Sequence, residues 1–142
     1  RIGDEAKKIA KMARDIHGGD MRVVPSVDLR ASAEIAVAML RKALDAFARL
    51  DVNASAEVVR QDREVDAGFK AAMRQLITFM MEDPRTISSS LDLLFVARSI
   101  ERIGDHAKNI SEYVVYLVKG RDVRHIGLEA MEKEVARQFQ NL

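Results

Sequence analysis

Apolar residues recur at helical spacing through most of the chain. Ile2, Ala6, Ile9, Ala13 and Ile16 step by three or four, the signature of one face of a helix. His17-Gly18-Gly19 ends that pattern, and the stretch from Gly18 to Pro25 reads as a linker. Pro25-Ser26 predicts the start of a second helix, because a Ser hydroxyl can take up a free backbone N–H at a helix start. Its apolar face is expected to be Val27, Ile35, Leu40, Leu44 and Phe47, running to about Leu50. Asp51-Val52-Asn53 predicts a turn into a third helix from Ser55, faced by Val58, Val65, Phe69, Met73, Leu76 and Met80. Pro84 stops it, since Pro has no N–H and pushes Asp83 out of helical geometry. Thr86 is then expected to cap a fourth helix. There Val96, Ile100, Ile103, Ala107, Ile110, Val114 and Leu117 alternate steps of four and three, the pattern of a bundle seam. Lys119-Gly120 supplies the cation and the helix-stopping glycine of a C-terminus. A polar tail follows, with a short helix expected between Leu128 and Phe139.

No segment alternates with the period of two that marks a strand, and short connections favour antiparallel neighbours. The pattern therefore predicts an all-α antiparallel three-helix bundle. Residues 1–18 form a preceding helix, 19–25 a linker, 26–120 the bundle and 121–142 the tail. Shifting the chain by 101 positions lays Arg1-Ile2-Gly3-Asp4-Glu5-Ala6-Lys7-Lys8-Ile9 on Arg102-Ile103-Gly104-Asp105-His106-Ala107-Lys108-Asn109-Ile110, and seven of the nine agree. That repeat, with an opening Arg and no Met, predicts two similar bundles in a longer protein. The chain would then hold the last helix of the first and all of the second. The leading helix, deprived of its own bundle, is expected to dock on the second bundle or on another copy.

Composition narrows the function classes. The 142 residues contain no Cys, which removes disulfides, iron–sulfur clusters, thiolate zinc sites and cysteine nucleophiles and fits a cytoplasmic setting. A net charge of +1, 5% aromatic residues and no Trp offer nucleic acid neither a field nor stacking platforms. The longest strongly apolar stretch, Tyr113 to Val118, falls far short of the roughly 18 residues that span a bilayer, so no direct membrane insertion is expected.

Two acidic pairs change the picture. Glu101 and Asp105 are four apart and share a face of the fourth helix, and Asp62 and Asp66 do the same on the third. Like charges at that spacing cost a helix a few tenths of a kcal/mol, so each pair needs a reason. The pairs centre on positions 103 and 64, whose midpoint of 83.5 falls on the Asp83-Pro84 turn, so an antiparallel hairpin sets them at one height. Four carboxylates at one level make a hard oxygen site for iron, manganese, magnesium, calcium or zinc. Asn109, one turn beyond Asp105, can add a carbonyl, and Gly104 removes bulk beside the site. Against this stands the ordinary reading that charged helix faces are solvated. His106 follows Asp105 directly and points about 100° away, which argues for packing over ligation. His17 and His125 lie near helix ends and read as structural, and Met80-Met81 as core filling.

Glu101-Arg-Ile-Gly-Asp105-His-Ala-Lys-Asn109-Ile, with Asp62-Arg-Glu-Val-Asp66 and the turn Met80-Met81-Glu82-Asp83-Pro84-Arg85-Thr86-Ile87, resembles the PhoU family of phosphate-uptake regulators. The resemblance covers essentially the whole chain. It implies two tandem three-helix bundles, surface metal clusters on Glu/Asp-x-x-x-Asp motifs and a homodimer. It also implies negative regulation of the phosphate-starvation response through a sensor histidine kinase and the ATPase subunit of the phosphate ABC transporter. Asp4 remains from the motif of the first bundle, whose Glu and opposing helix are missing, so a complete first site cannot form within the chain. Two rivals remain: a carboxylate-bridged di-metal bundle enzyme, and a metal-free helical adaptor. The enzyme needs Glu-x-x-His on two helices, and the sequence has no such spacing. The Ser88-Ser89-Ser90 run reads as a first helical turn, with no base placed to activate it.

Overall fold

The structure is a computed structural model and describes residues 1–18, 23–120, 122–124 and 126–137. Every regular element among them is helical, as the hydrophobic period predicts: α1 (Ile2–His17), α2 (Arg30–Arg49), α3 (Val52–Glu82), α4 (Ile87–Lys119) and α5 (Gly127–Ala136). Residues 19–22 of the linker, His125 and the tail from 138 onward lie outside the described residues.

Local chemistry fixes the boundaries. In α1, Asp4 and Glu5 occupy the first turn and Arg14 the last, each charge opposing the partial charge of its helix end. The start of α2 is not at Pro25-Ser26: the helix begins at Arg30, whose N–H donates to Asp28 Oδ1 at 2.8 Å. Asp28 takes the role assigned to Ser26. Likewise α3 begins at Val52 and not at Ser55, because the Asp51 carboxylate accepts from the Ala54 N–H at 3.0 Å. Leu50 makes the turn between α2 and α3 with φ 53°, a left-handed conformation in which its N–H reaches back to the carbonyls of Ala46 and Phe47. A short 3-10 turn, Pro84–Thr86, joins α3 to α4, and Asp83 accepts from the Arg85 N–H at its start. Thr86 does not cap α4 through its side chain. Its hydroxyl donates backwards to the carbonyls of Asp83 (2.7 Å) and Phe79 (3.1 Å), which ties the turn to the end of α3. Gly120, at φ 68°, closes α4.

Helices α2, α3 and α4 pack on one another as a three-helix bundle, α1 lies along α4, and α5 covers part of α3. Pairs such as Lys42 with Glu57 and Lys108 with Asp62 straddle the two turns at nearly equal distances, as antiparallel neighbours require. The main core is Ala36, Met39, Ala43, Val58, Val65, Ile100 and Ala107, with Ile9 of α1 packed against it. A second cluster, including Val59, Val115, Met131 and Val135, lies beneath α5.

Two faces are rotated from their expected positions. On α2 the buried residues are Ala36, Met39, Ala43 and Ala46, while Leu44 and Phe47 are 53% and 47% exposed. The small side chains let α2 approach its neighbours closely, so the larger ones are displaced to the rim. On α1 the side turned to α4 carries Ile2, Glu5, Ile9, Met12 and Ile16, and Ala6 and Ala13 face outward. Glu5, 3% exposed, is held there by Lys8 (3.0 Å) and by Arg102 of α4 (3.2 Å). Burial opposes its charge, but bonds from Lys8 and Ser99 and the nearby Arg102 keep its pKa below the ordinary Glu value. On the expected seam of α4, Ile100, Ala107 and Val114 are buried, and Leu117 is exposed.

Candidate metal centre

The turn at 84–86 returns the chain so that the acidic pairs of α3 and α4 come together. One carboxylate oxygen from each of Asp62, Asp66 and Asp105 lies within 4.8 Å of the others. Asp62 is buried, and Asp66 and Asp105 are half-buried. Gly104 makes the approach of the helices possible: a Cβ there would stand 3.4 Å from Val65 Cγ1 and 3.7 Å from Asp62 Oδ1, so anything larger than a methyl group would meet α3.

Glu101 sits one turn before Asp105, outside the 4.8 Å group but electrically part of it. Burial first, then the charges of Asp105, Asp66 and Asp62, push its pKa above the ordinary Glu value against the pull of Arg98. Asp105 is raised in the same way, by burial and then by Asp62 and Asp66. Arg98 Nη1 approaches Glu101 Oε1 at 2.8 Å, and Lys108 Nζ approaches Asp62 Oδ2 at 2.7 Å. The remaining oxygens, Asp62 Oδ1 and Glu101 Oε2, are buried without a hydrogen-bond partner. Buried carboxylate oxygens lacking donors are costly, and a hard cation would satisfy them. The donor set therefore fits a metal of the iron, manganese, magnesium, calcium or zinc kind. No nucleophile stands with a base within the group.

The other sequence candidates lie outside the three-acid group. Asn109 is exposed and lines a polar groove of about 590 Å³ together with Asp105, His106, Lys108 and Glu112. Asp4 is exposed on α1 and lines a separate groove with Glu5, Lys7, Lys8, Lys11 and Arg102, so α1 does not bring it to the cluster. His106 is half-buried with Nε2 unpartnered. Arg98 and Lys108 were not among the sequence candidates. Their signal was nonetheless periodic: Arg98, Glu101, Asp105, Lys108 and Glu112 step by three or four along one face of α4.

The PhoU domain model matches residues 29–114, a segment containing Asp62, Asp66, Glu101 and Asp105. The Pseudomonas aeruginosa phosphate-specific transport system accessory protein PhoU homolog is 48% identical over 135 residues, covering 95% of the chain and 56% of that protein. The Escherichia coli phosphate-specific transport system accessory protein PhoU is 44% identical over 136 residues, covering 96% and 56%. The chain thus spans about half the length of these curated relatives. A crystal structure of PhoU from Pseudomonas aeruginosa superposes with a TM-score of 0.78 at 44% identity, over 84% of the chain and 57% of that structure.

Proposed function

The chain belongs to the PhoU family, and from that premise we propose that it acts in the regulation of phosphate transport as a metal-binding adaptor without catalytic turnover. The observation that carries this reading is the match of the family model over all four clustered acids, on relatives named as accessory proteins of a phosphate-specific transport system. In this reading Asp62, Asp66 and Asp105 hold a metal ion, and Glu101 and Asn109 complete its surroundings. Asp4 contributes only where another chain or segment supplies its missing neighbours. The acids present bare, partly buried oxygens and no reacting centre, which suits a structural or sensory ion better than a di-metal enzyme.

Partners follow the family: the ATPase subunit of a phosphate ABC transporter, a sensor histidine kinase, and a second copy in a homodimer. The protein works at the cytoplasmic face of that transporter. Among the described residues no helix is long and apolar enough to cross a membrane, consistent with a role as a docked component. Exposed Leu44, Phe47 and Tyr113 border one groove of about 820 Å³, and such apolar surface supports association with another protein.

Asp105→Ala tests the metal half of the proposal, and a deletion strain tests the regulatory half. The purified variant should lose metal content while its helical circular dichroism stays unchanged. In a strain lacking the protein, phosphate-starvation genes should be expressed in rich phosphate, and supplying the wild-type protein should restore repression. Unaltered metal stoichiometry in the variant would remove the metal reading. Intact repression in the deletion strain would remove the regulatory one.

A further inference from the structure

Lys108 and Arg98 flank the carboxylate group from the same helix. Each cation is placed one turn from an acid of that helix, Arg98 before Glu101 and Lys108 beyond Asp105. Arg98 answers Glu101 locally, but Lys108 reaches across to α3 and sets its ammonium 2.7 Å from Asp62 Oδ2. The Asp62 side chain is 4% exposed and that of Lys108 34%, so the ammonium closes a buried carboxylate from the solvent side. The second oxygen, Asp62 Oδ1, stays buried with no hydrogen bond. The group is thus neutralised in part from within, with one buried oxygen left over.

We propose that Lys108 is a tethered counter-ion that neutralises the Asp62 carboxylate in the metal-free protein and is displaced when a metal ion binds, which sets a concentration threshold and disfavours monovalent cations. The inference rests on the reading of Asp62, Asp66 and Asp105 as metal ligands.

The physical grounds are competition for one carboxylate and repulsion between like charges. A hard divalent ion takes carboxylate oxygens at about 2.0–2.6 Å, and the free Asp62 Oδ1 can serve it, but the ammonium on Oδ2 of the same carboxylate then stands beside a second cation. Two cations that close repel strongly where water is partly excluded. A sodium or potassium ion brings no more charge than the ammonium it would displace. It also competes against a group whose effective concentration is held high by its tether. A divalent ion brings twice the charge to three acids and wins. The four-carbon stem of lysine gives the ammonium somewhere to go: Glu112, one turn further along α4, is 7% exposed and already feels the Lys108 charge. Metal binding would therefore transfer Lys108 from Asp62 to Glu112, on the wall of the polar groove that both residues line.

Titration of the metal-stripped full chain with manganese, in sodium and then in potassium buffer, tests this. Lys108→Met should bind manganese about tenfold more tightly than wild type, since the fraction of protein in the open, competent state rises, and Lys108→Arg should stay near wild type. A second readout uses the unaltered chain. Lys108 should react slowly with an amine-acylating reagent in the stripped protein and several-fold faster once manganese is bound, as read by peptide mass spectrometry. Equal or weaker manganese binding by Lys108→Met, or acylation of Lys108 unchanged by manganese, would overturn the role of Lys108 while leaving the metal site standing. No manganese binding by wild type, with Asp105→Ala indistinguishable from it, would instead overturn the metal reading itself.

Discussion

At Glu101 and Asp105 a negative charge is opposed twice, by burial and by neighbouring carboxylates, and both pKa values are raised. A raised carboxyl binds protons more readily in the folded than in the unfolded chain. Between the ordinary carboxylate value of about 4 and the raised folded values, acidification therefore favours the folded state. The stability these groups contribute is full below the unfolded value and lost as pH rises through the folded one. Glu5 has the opposite sign: its lowered pKa contributes stability that is lost only as pH falls through that lowered value. Metal-free protein in chelator should accordingly show a rising Tm as pH is lowered towards the ordinary carboxylate value of about 4. Asp105→Asn should flatten that slope, and saturating metal should abolish it. A Tm that falls steadily over the same window in chelator would contradict the coupling among these acids.

At the scale of the element, α4 has to be a good helix and also a thin one where it crosses α3. Gly104 meets the second requirement at the expense of the first, since Gly in a helix interior costs about 1 kcal/mol against Ala. An Ala methyl would stand at ordinary contact distance, 3.4 Å from Val65 and 3.7 Å from Asp62. Gly104→Ala should therefore raise stability by up to about 1 kcal/mol in urea unfolding and leave metal binding intact. Gly104→Leu should push α3 and α4 apart, cost about 1–3 kcal/mol as an overpacked core residue, and weaken metal binding by separating Asp62 from Asp105. Equal metal affinity in the Leu variant would show that the carboxylates do not depend on this close crossing.

For the whole molecule, α1 is packed on α4 alone among the described helices. Four half-buried side chains, Ile2, Ile9, Met12 and Ile16, each gain about half of the 1.5–3 kcal/mol that full burial brings, and the ordering of α1 subtracts from that. Its removal also leaves Arg102 without its buried Glu5 partner. A chain lacking residues 1–18 should remain a folded bundle but lose about 2 kcal/mol in urea unfolding, and it should self-associate more through Ile110, which borders a groove with Ile2 of α1. An unchanged unfolding midpoint, with sedimentation equal to that of the intact chain, would mean that α1 contributes nothing to this bundle.

The sequence alone determined the helices and the pairing of their acids. Apolar residues at steps of three and four, Pro84 and Gly120 mark the elements, and the symmetry of 62/66 and 101/105 about the turn sets the height of the carboxylates, because an antiparallel hairpin leaves no freedom in register. Only the tertiary structure decided which face of each helix turns inward. Ala36, Ala43 and Ala46 beat Leu44 and Phe47 to the core of α2, since close packing rewards fit between helices and not hydrophobicity in isolation. Tertiary structure likewise decided that Lys108 answers Asp62 across the helix gap, and that Glu5 is buried against Arg102. A period along one chain reports which residues share a face, while the charge a buried group meets is set by the neighbour it packs against, which no period along a single helix contains.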